Sequence, residues 1–113
     1  MSNDKNQYPQ RIYISLPMTG VESAEIHRRI ELARQQIIEQ GNIPIAPTDL
    51  ATPDTPYHTA MGYDIAAIIS DQVDTVLFLN GWETSRGCRL EHCTARIYGK
   101  NIEYQSPDEN CFP

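Results

Sequence analysis

Two acidic residues occur where helical spacing sets them among apolar neighbours, and both are able to do chemistry. Asp64 falls in the series Tyr57, Met61, Asp64 and Ile68, with steps of 4, 3 and 4, so a carboxylate interrupts an apolar helix face. A buried unpaired carboxylate is costly unless it is hydrogen-bonded or kept protonated, the condition of a catalytic acid. Its competing role is a structural cap that binds backbone donors of a neighbouring loop. Glu91 heads the row Glu91, Ala95 and Tyr98 on a later helix, beside the apolar stripe rather than opposite it. Partly desolvated there, it would serve as a nucleophile or base. A first-turn glutamate is also favoured by the helix dipole alone, and spacing does not choose between the two.

The segment leading to Glu91 points to a ligand. Asn80 to Gly87 links an apolar strand to this helix, the place where α/β proteins bind small anions. Ser85 is either the helix cap or, beside Arg86 and Gly87, a phosphate seat. Trp82 either stacks on a base or covers the core, and its place in the crevice loop favours the ligand. Tyr13 and Ser15 alternate on an early strand and share a face, Ser15 at the carboxyl end; Tyr13 on that ground alone is a core residue with a satisfied hydroxyl. The chain has no GxGxxG, Walker A or HExxH pattern, and no cofactor is expected. Nor is a metal: Cys93 lies about 100° around a helix from His92, so Cys88, His92 and Cys93 do not converge. His27 and His58 read as surface or loop residues.

These residues must be positioned by regular elements. Arg11–Ser15 alternates as a strand ending at Pro17 and Gly20. Ile26, Ile30, Ala33 and Ile37 predict a helix over Glu22–Gln40, stopped by Gly41. Ile43–Ala46 is a second strand whose proline suits an edge. After the loop Pro47–Pro56, a helix runs to about Asp71, a buried strand over Thr75–Leu79, a helix from Arg86 to Tyr98 with Leu90, Thr94 and Ile97 inward, and a strand over Asn101–Tyr104. The alternation implies an α/β, flavodoxin- or Rossmann-like three-layer sandwich with four or five parallel strands, the four identified being ordered 2-1-3-4. In that order the winding reverses between the first and third strands, so Leu16–Gly20 and Asn80–Gly87 flank one crevice. Residues 1–10 read as a flexible leader, 11–104 as a single domain and 105–113 as a tail.

Composition narrows the partners. The 113 residues suit one domain, burying roughly 65 per cent of its unfolded surface. A net charge of −6 opposes binding to a nucleic-acid polymer, although a local pocket can still take a small nucleotide. No apolar run is long enough to span a bilayer, no secretory signal is evident, and three cysteines without CxxC spacing fit reduced thiols, so a cytoplasmic protein without a membrane partner is expected.

Taken together, Tyr13-Ile-Ser15 with Gly20, Met61-Gly-Tyr-Asp64, Asp74-Thr-Val-Leu-Phe-Leu79, Gly81-Trp82, Ser85-x-Gly87-x-x-x-Glu91 and Ala95 resemble the nucleoside 2-deoxyribosyltransferase superfamily. The likeness is greatest to a short branch, often carried by phages and prophages, known only as a domain of unknown function. It covers about residues 11–104. It implies N-glycosidic cleavage or transfer on a (deoxy)nucleoside or its 5′-monophosphate, with Glu91 as nucleophile, Asp64 as the acid acting on the base, and Tyr13 positioning nucleophile or sugar. Ser85 stands where transferases carry aspartate and nucleotide hydrolases carry a phosphate-contacting serine, which favours a monophosphate. Ser15, Gly20, Met61, Trp82, Arg86 and Gly87 complete the implied substrate site. A homodimer or higher homo-oligomer is also implied. The tail offers no clear match to the residues that close the pocket in relatives, and the alternative is a non-catalytic nucleotide-binding or sequestering protein.

Overall fold

A computed structural model describes residues 8–107. Its strands are β1 (Arg11–Ser15), β2 (Ile43–Ile45), β3 (Thr75–Phe78) and β4 (Asn101–Tyr104), and its helices α1 (Ser23–Glu39), α2 (Tyr57–Ile69) and α3 (Arg86–Ile97). Short 3-10 turns occupy Pro47–Asp49 and Trp82–Thr84. The sheet is parallel throughout in the order β2-β1-β3-β4, as the alternation of elements predicts. Pro44 falls on the edge strand β2, where its missing donor costs no ladder bond. Most of the expected leader and tail lies outside the described residues, as does Cys111.

Period-two alternation in β1 divides the core. Ile12, Ile14 and Leu16 face α1, whose Ile30, Ala33 and Ile37 cover them. Tyr13 faces the other way, where Val76, Phe78, Ile68 of α2 and Ala95 of α3 form the second cluster. Each fully buried isoleucine on these faces contributes about 1.5–3 kcal/mol. The strand ends are tied down by polar contacts. Asp74 accepts from the Arg11 backbone N–H at 2.8 Å and from its Nε at 3.2 Å. The Lys100 ammonium donates to the carbonyls of Ser70 and Val73 at 2.7 and 2.8 Å, closing the turn after α2. Beyond β4, Gln105 accepts from Asn80 N–H at 2.8 Å and so holds the start of the loop that leads to α3.

One expectation about α3 is corrected. Leu90 and Ile97 are not inward: they are 51% and 72% exposed, while Cys88, Glu91, Thr94 and Ala95 are buried. Counting apolar residues misplaces the face because one inward position belongs to a carboxylate, whose burial is compensated by hydrogen bonds from β1. Among the described residues, no helix is long and apolar enough to cross a membrane.

Candidate active site

The carboxyl end of β1 brings two hydroxyls to α3. Ser15 Oγ donates to Glu91 Oε1 at 2.6 Å, and the Tyr13 hydroxyl donates to Glu91 Oε2 at 3.1 Å. Strand alternation gives Tyr13 and Ser15 a common face, and the pairing of Tyr13 with Val76 and Ser15 with Phe78 fixes them in the sheet interior. Ser85 N-caps α3, accepting from Cys88 N–H at 3.2 Å, and thereby starts the helix that carries Glu91. From α2 comes Asp64, in contact with both Glu91 and Tyr13. Glu91 is 4% exposed and Asp64 is 7% exposed. Asp64 Oδ1 is buried without a hydrogen-bond partner among the described residues.

Burial governs the electrostatics. It pushes the Glu91 carboxyl up to about 8, the charge of Asp64 adds to the rise, and the hydroxyls of Ser15 and Tyr13 work against it. Asp64 is raised by burial and partly brought back by its contacts with Glu91 and Tyr13. The Tyr13 phenol lies well above its ordinary range, through burial first and then the two carboxylates. Two buried carboxyls in contact titrate as a unit rather than independently.

A cavity of about 750 Å³ opens over this pair, within the range of small-molecule sites. Asp64 and Glu91 line it together with Met61, Ser85 and Gly87. Tyr13 and Ser15 are fully buried and reach Glu91 from beneath, without lining the cavity. Gly20 is in a left-handed turn (φ 78°) and Arg86 is exposed; neither lines the cavity. Trp82 does not join them either. Gly81 turns the chain with a left-handed backbone, and Trp82 folds over the sheet, stacked on His92 with centroids 4.3 Å apart and beside Tyr104 at 5.7 Å. There it borders a separate groove with Arg89, Cys93 and Arg96.

The remaining wall comes from residues that periodicity alone does not single out. His27 and Arg34 of α1, Tyr57 of α2, and Thr48, Thr52 and Thr55 of the intervening loop all face the cavity. Arg34 is itself engaged, by Asp49 at 2.7 Å and Glu31 at 3.3 Å. Spacing does put Ser23, His27 and Arg34 on one side of α1, but that this side overhangs the crevice follows only from the packing. Among the described residues, no three His, Cys, Asp or Glu side chains gather as a metal would require.

Gly87 keeps the first turn of α3 close to α2: a Cβ there would stand 3.2 Å from Met61 Sδ and 3.3 Å from the Tyr57 hydroxyl. Gly87→Ala, which adds one carbon at these contacts, is therefore expected to narrow the cavity mouth and weaken ligand binding about 10-fold. Ligand titration beside a thermal melt checks this, since a large fall in the melt would mean that the packing of α3 on α2 had been lost instead.

A parallel sheet in this order with helices on both faces defines an α/β protein of Rossmann-like architecture. The structure is similar to a 2-desoxiribosyltransferase from Leishmania mexicana, with a TM-score of 0.66, 19% sequence identity, and coverage of 85% of this chain and 63% of that one. The chain thus spans less than two thirds of that relative, and at this identity the likeness establishes the fold. By sequence the chain belongs to the family described as Domain of unknown function (DUF4406), which matches residues 10–104. No curated protein matches it.

Proposed function

We propose that the protein cleaves or transfers the N-glycosidic bond of a (deoxy)nucleoside or its 5′-monophosphate. The observation that carries this reading is the buried Asp64–Glu91 pair on the floor of a cavity roomy enough for a small molecule, with Glu91 held by two hydroxyl donors. In the reactive form one proton shared by the pair sits on Asp64, which leaves Glu91 ionised, and the two carboxyls then supply both functions that such a reaction needs. A Glu91 oxygen attacks the anomeric carbon, the bond to the base nitrogen breaks with its electron pair going to the base, and the proton passes to the base through Asp64. Ser15 and Tyr13 hold the charge on Glu91 before attack. Water, or a second base, then displaces Glu91 from the sugar, and its proton returns to Asp64. Ser85 and Gly87, at the amino end of α3, would receive the phosphate of a monophosphate.

Incubation with deoxyribo- and ribonucleosides and their 5′-monophosphates, with free base measured by chromatography, tests the reading. Retention of a nucleotide without base release would favour a binding or sequestering protein instead. Where base is released, kcat/KM is expected to decline as pH rises past about 8, because the shared proton is then lost and no acid remains. Asp64→Asn should reduce kcat by about 10²–10³-fold and abolish that alkaline limb. A pH–rate profile of both forms checks it.

A further inference from the structure

Ser15 lies in the last position of β1, where its carbonyl accepts from Leu79 N–H at 2.9 Å and its neighbour across the ladder is Phe78. Its backbone is therefore immobilised by β3. Its side chain is fully buried and reaches Glu91 from beneath the cavity. Its bond to Glu91 is the shorter of the two that reach that carboxylate, 2.6 Å against 3.1 Å from Tyr13. Short O–H···O⁻ bonds of this kind are strong and directional. Two donors on different oxygens, both rooted in one strand, fix the plane of a carboxylate that its own helix would leave free to rotate.

We propose that Ser15 is a positioning residue whose hydroxyl, clamped to Oε1, orients the Glu91 carboxylate. The proposal rests on the reading of Glu91 as the attacking group, and it goes further by placing the control of that group in the sheet beneath the cavity. The groups that face Glu91 are Tyr13 from β1, Asp64 from α2 and the Cys88 thiol from an earlier turn of α3. From α1, Arg29 acts on Cys88. Ser15 and Tyr13 favour the ionised form of Glu91 and Asp64 opposes it. Removing the Ser15 hydroxyl therefore leaves Glu91 harder to ionise, with the opposition from Asp64 unchanged.

Two measurements test this in the full chain. In Ser15→Ala, the side-chain carboxyl signal of Glu91, assigned with Glu91→Gln in protein labelled with ¹³C at glutamate carboxyls, should titrate at higher pH than in wild type. This readout needs no substrate. In the base-release assay, Ser15→Ala should lower kcat about 10–100-fold with KM nearly unchanged, and its pH–rate limbs should move upward. Ser15→Thr, which restores the hydroxyl, should recover part of the lost rate. An unchanged Glu91 titration in a folded Ser15→Ala protein overturns the proposal, as does a rise in KM without a fall in kcat. If no nucleotide is ever cleaved but the titration moves as expected, the clamp stands and the glycosidic reading fails.

Discussion

On the proposed mechanism, Glu91→Gln is expected to reduce base release on the order of 10⁴-fold or more, because losing the group that attacks the sugar removes the reaction path rather than one contact on it. Each factor of ten corresponds to about 1.36 kcal/mol, so the barrier rises by roughly 5 kcal/mol. The substitution is informative because glutamine preserves shape. Its Oε1 still accepts from Ser15, whose hydroxyl lies 2.6 Å from the native oxygen, and its amide can donate to the Tyr13 hydroxyl. Nucleotide affinity should therefore survive. The contrast with Asp64→Asn identifies the roles: a substrate whose base departs without protonation should restore turnover to Asp64→Asn and leave Glu91→Gln inactive. Measuring burst and steady-state release with both variants checks this. Equal activity of Glu91→Gln and wild type would remove the nucleophile from the scheme.

The second large effect is on stability, and its sign is set by burial. Burial pushes the Glu91 carboxyl from the ordinary 4.5 up to about 8, and it raises Asp64 as well. An acid raised by folding contributes its full share of stability below its unfolded value and loses it as pH climbs through the folded value. The wild-type melting temperature should thus fall steadily between about pH 5 and pH 9. The loss is shared with Asp64, because the two carboxyls titrate together. For a domain of this size each kcal/mol lost lowers the melting temperature by roughly 4–8 °C. Glu91→Gln, which carries no charge, should show a flatter profile and be more stable than wild type above pH 8. On the acid side the order reverses for Asp49 and Asp74, both lowered despite burial through their bonds to Arg34, Arg11 and backbone donors. Their contribution is present above the unfolded value and lost as pH falls through the folded one. These groups are partly exposed, so this acid loss is the smaller. Thermal melts across pH 4–10 for both proteins test the whole pattern. A wild-type curve that rises from pH 5 to 9 would contradict the buried pair.

The same pair shows what such a site costs the fold. A carboxylate facing the core is unfavourable for stability, and here it stands where an apolar residue would pack α3 against the sheet. Natural proteins keep such features chiefly where function needs them. That Asp64 Oδ1 is left without a partner among the described residues fits a group whose partner arrives with a ligand.

The chain's own spacing determined the succession of elements and, through the handedness of parallel crossovers, the sheet order 2-1-3-4. It also singled out Asp64, because an acid in an apolar series is visible without knowing what lies opposite. Periodicity, however, describes an element's own faces and not what they meet. For α3 the apolar count turned Leu90 and Ile97 inward, whereas the folded helix buries Glu91, since the donors that make this tolerable stand 76 and 78 positions earlier in the chain. The direction of Trp82 depended likewise on a left-handed turn at Gly81 and on the stacking surface of His92 and Tyr104. Only the packing of α1 over the strand ends made His27 and Arg34 part of the cavity wall. Local pattern thus specified which groups could react, and long-range contact decided which of them share a cavity.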